Sequence, residues 1–199
     1  MTAVTHLLYL HGFRSSPGST KAQRMAREVA ERQAEGQSIV WACPQLPPSP
    51  AQALQELQAA VAAWPREDMA VMGSSLGGFY ATVLAERLGC RALLINPAVE
   101  PARDLAGYIG EQSSWHDPDD RFFFRPEYVQ ALQALRPAAI TRPERYFTLI
   151  ASGDEVLDAQ EMRRRYTGCG GVWVEGSDHA LSNFDEFLPS VLHFLEWPA

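Results

Sequence analysis

The sequence predicts an α/β fold, in which a mainly parallel sheet carries helices on both faces. Short, continuous apolar runs recur along the 199 residues, as expected for strands that are buried on both faces. Segments with helical apolar spacing separate these runs, and alternating strands and helices produce a parallel sheet. The expected sheet has six strands in the order 2-1-3-4-5-6. Its site should lie at the carboxyl edge, near the switch between strands 1 and 3.

The first part of the chain supplies four strands and three helices. The first helix has one apolar face and stops at Gly36. The second helix has Ser49 as its N-cap and Gln52 as a capping-box partner, and ends at Pro65. The third covers residues 79–88. The four strands are predicted at residues 6–10, 38–43, 69–72 and 90–95.

The last part of the chain continues the same alternation. Strands are predicted at residues 145–152 and 171–175, with a helix between them that runs to Tyr166. Asn183 and Glu186 resemble a capping box at the start of a final amphipathic helix. Because no boundary or internal repeat interrupts this pattern, the chain is expected to form one domain.

Residues 101–143 differ from the rest because aromatic side chains are mixed with aspartates. A helix is predicted within them at residues 126–135. We interpret this segment as a small helical lid over the carboxyl edge of the sheet, inserted into the single domain. The alternative is a helical connection whose aromatic side chains pack in the core.

Composition excludes several classes of protein. A hydrophobic content of 46% is ordinary for a globular chain, and a net charge of −7 argues against a nucleic-acid partner. The three cysteines, Cys43, Cys90 and Cys169, are too far apart to indicate a zinc site or disulfide framework, and should be buried near strands. The first apolar run is too short for a signal peptide or a membrane span, so a cytoplasmic location is expected.

A glycine-rich stretch between the third strand and the third helix carries the main functional signal. Residues 73–77 read Gly-Ser-Ser-Leu-Gly, which matches the nucleophile elbow of α/β-hydrolases. Side chains at Gly73 or Gly77 would meet the neighbouring strand and helix. The turn should present the hydroxyl of Ser75 at a helix N-terminus.

A serine nucleophile needs a base and an acid. Among five histidines, His6, His11, His116 and His193 are less suitably placed than His179, which follows the last strand at the carboxyl edge. Asp154 follows the fifth strand and is the expected acid. Asp158, with Glu161 three residues later, resembles a helix N-cap instead, and Asp178 adjoins His179 too closely in sequence.

Two main-chain N–H groups are expected to stabilise negative charge on a tetrahedral intermediate. One belongs to Leu76 and the other to Phe13, in the loop after the first strand. Gly12 should let this loop approach the substrate closely. His11 should brace the loop through a side-chain hydrogen bond, or be a buried histidine at a strand end. These two interpretations predict nearly the same structure.

Six blocks of sequence together resemble the YqiA-type bacterial esterases. This resemblance extends over residues 6–195 and implies an α/β-hydrolase fold, activity on acyl esters or acyl thioesters, and a triad of Ser75, Asp154 and His179. The blocks are residues 8–17, 44–48, 73–82, 96–99, 153–158 and 178–180.

The expected function is a serine esterase that acts on a small-molecule acyl ester or thioester without a metal or organic cofactor. The alternatives are an acyl-CoA thioesterase or acyltransferase with the same triad, and a non-catalytic binding protein with this fold. Arg14 and Lys21 could contact an anionic part of a substrate, although solvated charges are the favoured interpretation. The chain is expected to be a monomer or small homo-oligomer.

Overall fold

The computed structural model describes residues 2–115 and 117–198. Within them, six parallel strands form the main sheet. This confirms the predicted α/β class. The strands are β1 (His6–Leu10), β2 (Val40–Ala42), β3 (Met69–Ser74), β4 (Arg91–Ile95), β7 (Tyr146–Ala151) and β8 (Gly170–Val174).

The strands lie in the order β2-β1-β3-β4-β7-β8. The expected order counted only strands that enter the main sheet. Two further strands, β5 (Gly110–Ser113) and β6 (Arg121–Phe124), form a separate antiparallel hairpin that was not foreseen. The main-sheet strands therefore follow one another as expected, and their numbers differ only because the two hairpin strands are also counted. As expected, β1 lies between β2 and β3.

Helices cover both faces of the main sheet. Alternate strand residues point to opposite faces, and the apolar side chains on each face are buried under helices. The helices are α1 (Thr20–Ala34), α2 (Pro50–Ala60), α3 (Leu76–Leu88), α4 (Pro101–Leu105), α5 (Pro126–Leu135), α6 (Ala159–Arg165) and α7 (Phe184–Phe194). Leu8 and Leu10 of β1 share an apolar cluster with α2, α3, α5 and α6, whereas Leu7 and Tyr9 share another with α1 and α7.

Several local predictions were wrong at their boundaries. Strand β2 has only three residues, and α2 ends at Ala60, before Pro65. Ser49 caps α2 as expected, but the Gln52 side chain bonds Glu56 instead of completing a capping box. Asn183 makes no side-chain cap for α7. Only Cys90 is fully buried, and Cys43 and Cys169 are half-buried free thiols.

The inserted segment is not purely helical, which corrects the expected helical lid. It contains α4, the β5–β6 hairpin and α5, besides a short 3₁₀ turn at Ala106–Tyr108. Its aromatic side chains divide between two environments: Phe124 is buried in the core, whereas Trp115 and Phe123 are largely exposed. Phe124 therefore agrees with a connection whose aromatic side chains pack in the core, whereas Trp115 and Phe123 do not.

Across residues 2–115 and 117–198, no helix has both the length and the apolar character needed to cross a bilayer.

Candidate active site

The turn between β3 and α3 holds Ser75 in an unusual backbone conformation. Its φ is 55° and its ψ is −121°, which is costly for a residue with a Cβ. Four main-chain hydrogen bonds hold it there. The Ser75 N–H donates to the carbonyl of Ile95, and the Ser75 carbonyl accepts from Gly78, Phe79 and Ala98. The surrounding chain therefore determines the backbone conformation of this residue.

The glycines on either side of Ser75 are required by close packing. A Cβ on Gly73 would lie 2.2 Å from the carbonyl oxygen of Gly77. A Cβ on Gly77 would lie 2.0 Å from the carbonyl oxygen of Leu10, at the end of β1. Both distances are far below van der Waals contact. The turn can therefore be this sharp only because these two positions lack side chains.

A chain of hydrogen bonds links three side chains from distant parts of the sequence. Ser75 Oγ lies 3.1 Å from His179 Nε2, and His179 Nδ1 lies 2.8 Å from Asp154 Oδ2. The Asp154 side chain is fully buried, whereas 21% of the His179 side chain is exposed. The structure thus brings together the three residues selected from the sequence. In this geometry an imidazole can take the serine proton while a carboxylate orients the ring.

The two aspartates after β7 have different partners. Asp154 uses its second oxygen, Oδ1, to accept the N–H groups of Val156 and Leu157, both at 2.8 Å. Asp158 accepts the N–H groups of Gln160 and Glu161 as the N-cap of α6. The carboxylate of Asp154 is therefore held in place by the loop that it belongs to, while Asp158 starts a helix.

Asn96, at the end of β4, joins the loops that carry Asp154 and His179. It is completely buried and has a φ of 40°, a conformation that asparagine tolerates better than most residues. Its Oδ1 accepts the Ala151 N–H at 2.8 Å, and its Nδ2 donates to the carbonyls of Asp178 and His179, each at 3.0 Å. Sequence reasoning gave this residue no role, although a polar side chain at a strand end was a signal for one.

His179 has two further main-chain restraints from nearby residues. Its N–H donates to a carboxylate oxygen of Glu155 at 2.9 Å. The following residue, Ala180, accepts a hydrogen bond at its carbonyl from the ammonium group of Lys21. Neither Glu155 nor Lys21 was expected to hold this loop. The main chain around His179 is thus tied to three separate parts of the protein, through Asn96, Glu155 and Lys21.

The loop after β1 lies directly against Ser75. A Cβ on Gly12 would be 3.3 Å from Ser75 Cβ, so only glycine allows this approach without a shift. His11 is buried, with Nε2 accepting the Leu46 N–H at 3.0 Å and Nδ1 lying 2.9 Å from the Gly12 carbonyl. The tautomer that satisfies both contacts carries its proton on Nδ1. His11 therefore has the contacts of a brace for this loop.

The N–H groups of Phe13 and Leu76 are available to a ligand. No acceptor within residues 2–115 and 117–198 pairs with either of them. Leu76 is the first residue of α3, where main-chain N–H groups lack helical partners. Phe13 immediately follows Gly12, which packs on Ser75. In the described part of the chain, both residues expected to supply oxyanion donors therefore have a main-chain N–H without an acceptor.

The β5–β6 hairpin is attached to the Phe13 loop by aromatic and polar contacts. The Phe13 ring packs edge-on against Phe122 and Phe124, with centroids 5.9 Å and 5.2 Å away. Arg14 Nε donates to the Ser113 carbonyl at 2.6 Å, and its guanidinium lies 4.0 Å from the Trp115 ring. The inserted segment therefore contacts Phe13, the residue next to Gly12, which packs on Ser75.

Two clefts meet at the loop formed by residues 11–13. The larger, of about 340 Å³, is mainly apolar; we call it the apolar cleft, lined by Phe13, Leu46, Leu76, Tyr80, Phe122 and Leu132 among others. The smaller, of about 240 Å³, is more polar; we call it the polar cleft, lined by Ser19, Lys21, Ser75, Trp115, His179 and Ala180 among others. The hydrogen-bonded chain thus opens into the polar cleft, and the apolar cleft lies on the other side of Phe13.

The remaining histidines lie outside this arrangement. His6 contacts Thr5 through Nδ1 and packs near Trp64 at the opposite end of β1, and His193 lies within α7. His116 is outside the described residues. No group of three or more His, Cys, Asp or Glu side chains in the described part of the chain is arranged to hold a metal ion.

Comparison with known proteins identifies the family of this chain. The family described as "Uncharacterised protein family (UPF0227)" matches residues 6–196. A UPF0227 protein of Serratia proteamaculans is 24% identical over 148 residues, which are 73% of this chain and 74% of the relative. UPF0227 is the YqiA family, so the resemblance found in the sequence is confirmed.

Solved structures of low sequence identity share the fold. The α/β hydrolase domain-containing protein 10 from mouse matches with a TM-score of 0.60 at 12% identity, covering 96% of this chain and 92% of its own. The esterase domain of a Rhodothermus marinus protein matches with a TM-score of 0.63 at 17% identity, covering 96% and 86%. The fold is therefore that of the α/β-hydrolases.

Because Gly77 lies so close to β1, adding one methyl group at this position should destabilise the fold. Gly77→Ala should lower the free energy of unfolding by about 2–4 kcal/mol, because the new Cβ cannot be accommodated beside a main-chain oxygen. Gly107→Ala is the control, since a Cβ there meets nothing within 4 Å. Urea denaturation measures both. Equal stability of the two variants would contradict the packing argument.

The buried hydrogen bonds of Asn96 predict that removing its side chain destabilises the protein and weakens protection of β7. Asn96→Ala should cost about 2–4 kcal/mol of stability, because buried main-chain groups lose their partners. Hydrogen exchange at the Ala151 N–H should accelerate more than at other amides of β7. Asn183→Ala, at the half-exposed start of α7, is the control and should leave that amide unchanged. Unaltered exchange at Ala151 in Asn96→Ala would show that the amide bridge does not hold these loops.

Proposed function

This chain belongs to the UPF0227 family, and we propose that it is a serine esterase that hydrolyses carboxylic acyl esters through an acyl-enzyme on Ser75. The observation that carries the proposal is the continuous hydrogen-bonded chain from Ser75 through His179 to Asp154. Each side chain follows a different strand of the sheet, yet all three meet at one edge. The order Ser, Asp, His along the sequence is that of α/β-hydrolases.

The first half of the proposed reaction forms the acyl-enzyme. Ser75 Oγ attacks the acyl carbon of the ester while His179 Nε2 takes the hydroxyl proton. Asp154 holds the Nδ1 proton of His179 and stabilises the imidazolium ion as it forms. The tetrahedral intermediate collapses when the bond to the alcohol oxygen breaks. His179 Nε2 then returns its proton to the departing alcohol.

The N–H groups of Phe13 and Leu76 are the proposed oxyanion donors. Neither N–H has an acceptor among the described residues, which supports this role. Leu76 directly follows Ser75, and Phe13 follows Gly12, which packs on Ser75. Each such donor contributes roughly 3 kcal/mol to the stability of the transition state in hydrolases. Gly12 allows the approach, and His11 holds the Gly12 carbonyl.

The second half of the reaction releases the acid. A water molecule gives a proton to His179 Nε2 and attacks the acyl carbon of the acyl-enzyme. The tetrahedral intermediate collapses as the bond between the acyl carbon and Ser75 Oγ breaks, and His179 Nε2 returns its proton to Ser75 Oγ while the carboxylic acid leaves. The apolar cleft is the proposed site of the acyl chain because Phe13, Leu76 and Phe122 offer it an apolar surface. His179 lines only the polar cleft of the two, so the group that it protonates should leave through that side.

Removal of the nucleophile tests the proposal directly. Ser75→Ala should lower kcat/KM for p-nitrophenyl acetate at least about a thousandfold, because no acyl-enzyme can form. A fluorophosphonate probe should label the parent at residue 75 and should not label the variant. Ser74→Ala should still be labelled. If the parent resists the probe although it is folded, the chain is a binding protein with a hydrolase fold.

The two aspartates after β7 provide a matched pair of substitutions with equal charge loss. Asp154→Asn should reduce kcat about 10²–10⁴-fold, because the amide cannot hold the imidazole in the required tautomer. Asp158→Asn should change kcat less than about threefold, because asparagine caps helices as well as aspartate does. Steady-state kinetics with one ester decides between them, and the reverse ranking would assign the acid to Asp158.

The acceptor and leaving group need a separate measurement. Esters and acyl-CoA thioesters with the same graded acyl chains should be compared by kcat/KM, with product analysis in the presence of added alcohols. Higher values for the oxygen esters, with free acid as the product, support the esterase. Preference for the thioesters, or transfer of the acyl group to the added alcohol, would reassign the reaction.

A further inference from the structure

The polar cleft contains the only lysine of the chain. Arginine supplies 16 of the 17 basic side chains, and the remaining one is Lys21. Lys21 lines the same cleft as Ser75 and His179 and is half-buried, with its ammonium group bonded to the Ala180 carbonyl. Lys21 therefore contacts the His179 loop as well as lying partly in solvent.

Helix stability does not account for a lysine at this position. Lys21 lies in the first turn of α1, where the main-chain dipole favours negative charge. That turn contains no acidic residue, and the N-cap, Ser19, makes no side-chain cap. Burial also lowers the pKa of Lys21. The cationic form of Lys21 is therefore disfavoured by its helix and by its surroundings, unless a ligand compensates.

The ammonium group also has unused capacity for binding. Lysine offers three donors, and the Ala180 carbonyl is the single acceptor for them among residues 2–115 and 117–198. No carboxylate of these residues lies within 4.0 Å of Lys21 Nζ. Asp178 attracts it from further away, but the Asp178 carboxylate already accepts the N–H and the hydroxyl of Ser182.

We propose that Lys21 is a specificity residue that binds an anionic group, a carboxylate or a phosphate, on the leaving alcohol of the substrate. This inference rests on the proposed esterase activity and names a substrate class for it. The alcohol must occupy the polar cleft because His179, which protonates it, lines that cleft. A negative charge on the alcohol would meet the free donors of Lys21 and the uncapped start of α1.

Matched acetate esters test the inference. The pair is para-carboxyphenyl acetate and para-(methoxycarbonyl)phenyl acetate, whose leaving phenols differ in charge; a para-phosphate analogue distinguishes the two anions. In the parent, kcat/KM should favour an anionic ester. In Lys21→Gln, the ratio of anionic to neutral kcat/KM should fall at least about tenfold, as expected for loss of one hydrogen bond to a charged group.

Two control variants test whether the preference depends on a positive charge at position 21. Lys21→Arg should retain most of the preference for charge. Arg27→Gln removes the same charge from an exposed position on the same helix and should keep the parental ratio. If Lys21→Gln slows both esters equally, Lys21 only positions the His179 loop, and the inference is wrong. An unchanged ratio, or a parent that prefers the neutral ester, also overturns it.

A measurement without turnover separates this inference from the esterase proposal. Formaldehyde with cyanoborohydride methylates the ε-amino group of Lys21, and peptide mass spectrometry follows one site because the chain has one lysine. Para-hydroxybenzoate or phenyl phosphate should slow methylation of the parent at least about threefold at saturation, and methyl para-hydroxybenzoate should not. Equal rates with all three compounds would refute an anion site even in an active enzyme. Protection in a protein that hydrolyses no ester would refute the esterase alone.

Discussion

Ser75 keeps a positive φ because main-chain hydrogen bonds and close packing hold the turn around it. Its N–H and carbonyl are both bonded to neighbouring elements, and Gly77 brings α3 against the end of β1. The loop after β1 also packs directly against Ser75, at Gly12. The position of the proposed nucleophile thus depends on how α3 and this loop pack against the turn.

The other members of the site are positioned by buried polar contacts. Asn96 follows the strand next to the elbow and satisfies main-chain groups from the Asp154 and His179 segments. An amide side chain can do this because it is both a donor and an acceptor. The parallel sheet brings the ends of its strands to one edge, and Asn96 then sets the relative position of two loops at that edge.

The sequence predicted the features that depend on local patterns. Continuous apolar runs indicated the six sheet strands, and the spacing of glycines around Ser75 indicated the elbow. The β5–β6 hairpin was missed because Arg121–Phe124 has no alternation of polar and apolar residues and pairs with the polar segment Gly110–Ser113. The side-chain contacts of Asn96 and Lys21 span 82 and 159 residues, so their partners could not be identified from the local sequence around either residue. The three residues of the hydrogen-bonded chain were found because their chemistry and strand-end positions both restricted the choice.

Phe13 lies between the β5–β6 hairpin and the candidate active site. Its ring packs against the β5–β6 hairpin, and its main chain borders Ser75. The next residue, Arg14, accepts the N–H of Trp115 at its carbonyl and stacks its guanidinium on the indole of the same residue. In the proposed esterase, a change that reshapes this hairpin would therefore also act on the main chain beside Ser75. We expect acyl-chain preference and turnover rate to change together for that reason.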